Sequence, residues 1–260
     1  MERTHRFVTL VTPASVTVVV PCYNEEAGLP SLLDRLCRMR EAQTLDWHFL
    51  FVDDGSSDGT FTTLLRAAQR QPWIEVLRHH ENLGLGASLR TGFEYARSPI
   101  VCTIDSDCTY PPEKLPELTA LVQNGAALVT ASAWHPDSAA ADGHPFRLWL
   151  SRRVSNVYKR LLGQDVHTFT CLFRAYQADL LGPLRFRSSG FAAVAEIMLR
   201  ALQYGYVVRE VPMRLESRRF GESKLRVGDA VVAHLRLLAG TVFMVGARHA
   251  RAMGHRMIGL

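Results

Sequence analysis

From residue 16 to residue 130 the chain alternates short, nearly continuous apolar runs with longer stretches whose apolar residues recur every three to four positions. The runs are residues 16–20, 48–52, 74–77, 100–104 and 127–130; the stretches between them are 27–42, 59–70, 84–96 and 113–124. Leu29, Leu32, Leu33 and Leu36, and again Leu64, Leu65 and Ala68, carry the period of a helix with one apolar face. The runs lack polar alternation, as strands covered on both faces do. Strand and helix taking turns in this way predict an α/β fold, a Rossmann-like, mostly parallel sheet with helices on both faces. Successive parallel strands point the same way, so the loops leaving their carboxyl ends gather at one edge.

Those loops are polar and acidic. Pro21-Cys22-Tyr23-Asn24-Glu25-Glu26 follows the first run, Asp53-Asp54-Gly55-Ser56-Ser57-Asp58-Gly59 the second, and Asp105-Ser106-Asp107 the fourth. Asn82-Leu83-Gly84-Leu85-Gly86 opens the helix after the third, and its glycines let backbone approach a ligand closely. Two carboxylates two residues apart at a strand end suit a hard divalent cation, Mg²⁺ or Mn²⁺, which takes few protein ligands when substrate phosphates complete its shell. Asp105 and Asp107 are therefore the expected metal ligands, and a phosphate-bearing substrate is implied. Asp53 stands where it can accept hydrogen bonds from a base or ribose, and Tyr23 offers a stacking face. Plainer readings stay open: a solvated Asp-x-Asp turn, a helix cap at Asp58 and simple packing by Tyr23. A dinucleotide fold is disfavoured, because the first strand leads into Pro21-Cys22-Tyr23 rather than glycines, Leu89 stands where a third glycine would fall, and no Walker A string occurs. What remains is the layout for a sugar-nucleotide donor.

After Ser132 the pattern changes. Residues 134–144 read as a polar loop, 145–162 as a basic amphipathic helix, 191–204 as a helix and 207–213 as a strand. Arg147 and Ser151 lie one helical turn apart, on a face able to grip one phosphate. Residues 225–251 form a long amphipathic segment whose uncharged stretch, 237–247, is too short to span a bilayer; it can lie in an interface, pack on the body or form an oligomer. The expected organisation is residues 1–224, with halves 1–132 and 133–224, followed by a helical segment over 225–260. With 260 residues, 47% of them hydrophobic, the chain can bury a large core. The net charge of +5 conceals an arginine surplus in the second half, which favours phosphate, anionic lipid or nucleic acid. Nucleic acid is set aside, because the basic residues interleave with apolar stretches and no binding module is readable. The five cysteines are dispersed and lack a CxxC pair, which fits a reducing compartment. No apolar run is long enough for a signal peptide or a spanning helix, so a cytoplasmic protein, soluble or peripheral on the inner face of the membrane, is expected.

Four strings, Val18-Val19-Val20-Pro21-Cys22-Tyr23-Asn24-Glu25, Val52 through Thr60, Asn82 through Gly86, and Asp105-Ser106-Asp107 with Pro111-Pro112-Glu113, resemble the family-2 glycosyltransferases of GT-A fold, in that family's order and spacing. The nearest branch is the polyprenyl-phosphate (dolichyl-phosphate) sugar synthases. The second half continues the likeness through Arg147-x-x-x-Ser151, Thr170 through Tyr176, Gly190-Phe191 with Glu196, and Arg218-x-x-Gly221-Glu222-Ser223-Lys224. The resemblance implies donor contacts at Pro21, Tyr23, Glu25, Asp53, Gly86, Asp105 and Ser106, and metal on Asp105 and Asp107. It places an acceptor or donor phosphate on Arg147, Ser151, Arg218 and Lys224. The chain departs from the family's pattern at Ala131-Ser132-Ala133-Trp134, where an arginine often follows Gly-Ser, and at Leu85, where lysine is frequent.

The reaction expected is attack of an acceptor oxygen on the anomeric carbon of a nucleoside-diphosphate sugar, with inversion. Asp107 and Arg218 would stabilise the departing diphosphate. The acceptor is a lipid phosphate, or a hydroxyl of a small molecule or glycolipid, in which case a protein base is needed. Glu196 is the first candidate for that base and His167 the second. A non-catalytic sugar-nucleotide-binding protein on the same scaffold is the remaining alternative, and the oligomeric state is left open.

Overall fold

The computed structural model describes residues 15–218 and 228–242. Its elements run β1 (Ser15–Cys22), α1 (Leu29–Glu41), β2 (Asp46–Asp53), α2 (Thr60–Arg70), β3 (Ile74–Arg78), α3 (Leu85–Tyr95), β4 (Ile100–Thr103), a 3₁₀ turn (Pro112–Lys114), α4 (Leu115–Gln123) and β5 (Leu128–Ser132). There follow α5 (Pro145–Leu162), β6 (Arg174–Gln177), α6 (Ala178–Leu181), α7 (Ala192–Gln203), β7 (Val208–Pro212) and α8 (228–242). The seven strands form one sheet in the order β3-β2-β1-β4-β6-β5-β7. All are parallel except β6, which runs against β4 and β5.

The continuous apolar runs are explained by the layers. Val16, Val18 and Val20 of β1 face Leu29, Leu32 and Leu36 of α1, while Val19 turns to the opposite layer with Leu50, Val52 and Val101. A second core joins Leu89 of α3, Tyr158 of α5, Tyr176 of β6 and Ile197 and Met198 of α7, with Leu237 and Leu238 of α8 packed against it. Register then sets the site. Cys22 lies beside Asp53, and Val19 beside Thr103, so β1, β2 and β4 release their loops at one edge.

Strand β6 is the element that apolar patterning does not announce. It begins with Arg174, a fully buried cation held between Thr103 and Thr130 in the ladder. Its guanidinium donates to the carbonyls of Val194 (2.6 Å) and Phe169 (2.9 Å), which offset its desolvation and tie β6 to α7.

Candidate active site

The first two loops lace together before either meets a ligand. Asn24 adopts a left-handed backbone (φ 53°) and its N–H donates to Ser56 Oγ (2.9 Å), while its side-chain oxygen accepts from the Ser57 N–H (2.8 Å). The Glu25 N–H donates to Thr60 Oγ1 (2.8 Å), and Asp58 accepts from the N–H groups of Thr60 (3.0 Å) and Glu26 (3.2 Å). Asp58 thus caps α2, the plainer of its readings. Asp54 clasps the third loop: it accepts from the Leu83 and Gly84 N–H groups (3.0 and 2.8 Å) and pairs with His79 Nδ1 (2.7 Å).

On this frame opens a cavity of about 930 Å³. Pro21, Tyr23 and Glu25 line it from the end of β1, and Asp105, Ser106 and Asp107 from the end of β4. Arg147 reaches it from α5, Phe191 from the start of α7, and Arg218 from the segment after β7. Arg218 bridges two strand ends: Nε and Nη2 lie 2.8 and 2.7 Å from Asp107 Oδ2, and Nη1 lies 3.5 Å from Glu25 Oε1. Asp107 Oδ1 accepts from the Thr109 N–H (3.0 Å) across the left-handed turn at Cys108 (φ 56°). Burial, with the Asp107 charge added, pushes the Asp105 carboxyl up to about 8 despite the opposing pull of Arg218. Ionising Asp105 beside Asp107 is therefore costly in the protein alone, and a divalent cation at the pair would favour the ionised form. Among the described residues no three His, Cys, Asp or Glu side chains group to hold a metal by themselves. Two carboxylates completed by substrate oxygens are the donor set such a cation would find.

Several expected residues lie elsewhere. Asp53 is fully buried behind the cavity wall; its Oδ1 accepts from the Ser56 N–H (3.3 Å), and Oδ2 lies 3.2 Å from Arg78 Nε, its neighbour across the β2–β3 ladder. Gly86 meets protein rather than ligand: its N–H donates to the Ser189 carbonyl (2.6 Å), and a Cβ there would strike the Ser188 carbonyl oxygen. Ser151 does not share a phosphate grip with Arg147, because its hydroxyl accepts from Trp134 Nε1 (3.1 Å) and pairs with Thr170 (2.7 Å). It lines a side cavity of about 130 Å³ with Ala133 and Trp134, which meets the main one at Leu85, Asp105, Leu172 and Phe191. Lys224 lies outside the described residues.

Glu196 is not placed as a base. It is buried, and its Oε2 accepts from the Arg187 and Ser188 N–H groups (3.0 and 2.9 Å) and the Ser188 hydroxyl (2.8 Å), while Arg200 Nε donates to Oε1 (2.9 Å). Burial alone would raise its pKa, but these donors outweigh it and hold the carboxyl below its usual range. His167 is likewise engaged, between Glu210 (2.8 Å) and Lys159 (2.8 Å). Sequence reasoning missed α8 as a cavity wall, to which Asp229, Val232, Ala233 and Arg236 contribute. Their i, i+3, i+4, i+7 spacing was the available signal.

A mostly parallel sheet with a carboxylate pair at the end of its fourth strand, facing a cavity beside a bridging arginine, defines a GT-A scaffold. The chain belongs to glycosyl transferase family 2, whose model matches residues 17–184. It is 29% identical over 214 residues to the undecaprenyl-phosphate 4-deoxy-4-formamido-L-arabinose transferase of Salmonella choleraesuis (strain SC-B67), an alignment covering 80% of this chain and 62% of that protein. The chain thus spans about three fifths of the length of the curated relatives it matches. Among solved structures, glucosyl-3-phosphoglycerate synthase from Mycobacterium tuberculosis, in complex with Mn²⁺, UDP and glucosyl-3-phosphoglycerate, superposes with a TM-score of 0.66 at 20% identity, covering 89% of this chain and 79% of that one. The same synthase with Mg²⁺ and UDP gives 0.65, again at 20% identity, 89% and 79%. These likenesses establish the fold.

Proposed function

We propose that the protein is a divalent-metal-dependent, inverting glycosyltransferase that moves a sugar from a nucleoside-diphosphate donor to a polyprenyl phosphate. The observation that carries this reading is the meeting of Glu25, Asp105 and Asp107 with Arg147 and Arg218 in one strand-end cavity. Asp105 and Asp107 would hold Mg²⁺ or Mn²⁺, which when bound supplies electrostatic stabilisation to the diphosphate. Tyr23 and Pro21 would face the nucleoside. The acceptor oxygen forms its bond to the anomeric carbon as the carbon–oxygen bond to the diphosphate breaks, and that electron pair leaves with the nucleoside diphosphate. Arg218, fixed between the β1 and β4 ends, is the chain's own cation at the point where that charge grows.

The fate of the two base candidates supports a phosphate acceptor. A hydroxyl must lose a proton as it attacks, whereas a phosphate monoester is already anionic near neutral pH. Glu196 and His167 are occupied by structural partners, and the relative from Salmonella is by its name an undecaprenyl-phosphate transferase.

A peripheral place on the cytoplasmic face of a membrane fits the surface. Among the described residues no helix is long and apolar enough to cross a membrane. Helix α5 nonetheless exposes Phe146 and Trp149, stacked at 5.9 Å, with Arg153 over the Trp149 ring. Aromatic side chains beside arginines suit an anionic interface.

The test is a thermal-shift panel of UDP-, GDP-, TDP- and CMP-sugars with Mn²⁺ or chelator, followed by transfer of the stabilising sugar to farnesyl phosphate and to farnesol. Metal-dependent stabilisation by one donor and transfer to the phosphate alone are expected. Equal transfer to farnesol would replace the acceptor assignment, and tight donor binding with no transfer to either would favour a non-catalytic sugar-nucleotide binder.

A further inference from the structure

The cavity has two electrostatic walls. The strand-end wall is acidic, with Glu25, Asp105 and Asp107, of which Glu25 and Asp107 are engaged by Arg218. Helices contribute another part of the wall, and its cations are Arg147 of α5 and Arg236 of α8. Neither makes an ion pair among the described residues: Arg147 is half-buried and Arg236 exposed. Asp229 shares the α8 face but lies two turns from Arg236, about 10 Å along the axis. The cavity also has apolar lining: Leu172, the exposed ring of Phe191, and Val232 and Ala233 of α8.

Helix α8 is fixed in this position from behind. Leu237 and Leu238 pack on the second core, and buried His234 meets the Tyr158 hydroxyl through Nδ1 at 3.0 Å. With that face turned inward, the Asp229–Arg236 face is left to border the cavity, which it lines. A guanidinium that lines a cavity and makes no ion pair of its own keeps its donors for an anion that enters there.

We infer that Arg236 is an acceptor-binding residue, which with Arg147 holds the phosphate of an acceptor whose apolar chain lies along Phe191 and Val232. The inference rests on the acceptor class proposed above. It adds a residue and an element that neither the sequence motifs nor the family match includes.

The experiment compares wild type, Arg236→Gln, Arg236→Lys and Arg147→Gln. Binding of farnesyl phosphate, farnesol and glycerol 3-phosphate is followed by calorimetry, donor binding by metal-dependent thermal shift, and the acceptor KM where transfer occurs. Because Arg236 is exposed, its variants should keep the wild-type melting temperature. Arg236→Gln is expected to weaken farnesyl phosphate about tenfold, the scale of one charge-assisted hydrogen bond, with donor stabilisation retained and partial rescue by Arg236→Lys. Farnesol should bind equally to all variants, and glycerol 3-phosphate more weakly than farnesyl phosphate. Unchanged farnesyl phosphate binding in Arg236→Gln would overturn the inference, as would loss of donor stabilisation, which would assign Arg236 to the donor. Glycerol 3-phosphate binding as tightly as farnesyl phosphate would overturn the role of the apolar wall. Arg236-dependent binding without transfer would sink the catalytic reading and leave this one standing.

Discussion

Glu196 accepts hydrogen bonds from two backbone N–H groups, a hydroxyl and a guanidinium, and in doing so holds the loop that leads to Phe191 at the cavity wall. A carboxyl held below its usual range contributes stability above its unfolded pKa, about 4.3, and loses it as pH falls through the lower folded value. Glu196→Gln should therefore cost about 2–3 kcal/mol in urea unfolding at pH 7, and the deficit should shrink below pH ~4. If the variant matches wild type at pH 7, the structural role is wrong. Asp107→Asn makes the contrasting case. It should leave the fold intact, because asparagine keeps an oxygen for the Thr109 N–H, but should remove metal-dependent turnover; unchanged turnover at limiting Mn²⁺ would refute its assignment. The sequence could separate these two carboxylates only in part. Asp107 follows a strand whose direction is known, so its edge is known. Glu196 lies on a helix, and which loop folds back onto it is a tertiary fact that no helical period contains.

Helix α3 crosses β1 so closely that a Cβ on Gly92 would overlap Val19 Cγ1. Replacing a mid-helix glycine by alanine ordinarily gains about 0.5–1 kcal/mol, but overpacking against a buried valine costs about 1–3 kcal/mol. Overpacking wins, so Gly92→Ala should lower the melting temperature; a rise would mean α3 can shift. Helix α5 poses a surface question. If Phe146 and Trp149 seat the protein on lipid, Phe146→Ser with Trp149→Ser should reduce co-sedimentation with anionic vesicles several-fold, and equal co-sedimentation would remove α5 from that role. Element boundaries in the first half were legible because burial on both faces writes continuous apolar runs. The residues 145–162 predicted for α5 are those observed. Strand β6 was illegible for the same physical reason in reverse. It is four residues long and starts with an arginine, which is tolerated only because the Val194 and Phe169 carbonyls receive it.

At the scale of the molecule, α8 joins stability to the site. Its amphipathic pattern is the one a helix shows against lipid or against protein, so the sequence left the choice open; over 228–242 the structure packs it on the body. Burial pushes His234 below its ordinary imidazole value, and the neutral ring can accept from the Tyr158 hydroxyl at Nδ1, whose own pKa burial raises. The unfolded chain takes up a proton at His234 near pH 6.5, while the folded chain resists it until lower pH. The unfolded state thus binds more protons in that window, and stability falls as pH drops below about 6.5. A protonated Nδ1 also ceases to accept, so the Tyr158 contact is lost with the charge. The strain falls on α8, the element that presents Arg236. Hydrogen exchange over 228–242, corrected for intrinsic rates, should show less protection at pH 5.5 than at pH 8, and His234→Asn should flatten that difference. The acceptor KM should rise more for wild type than for His234→Asn over the same interval, the variant keeping only the part that comes from protonation of the acceptor phosphate itself. Identical protection at both pH values would mean that the Tyr158–His234 contact does not hold the wall in place.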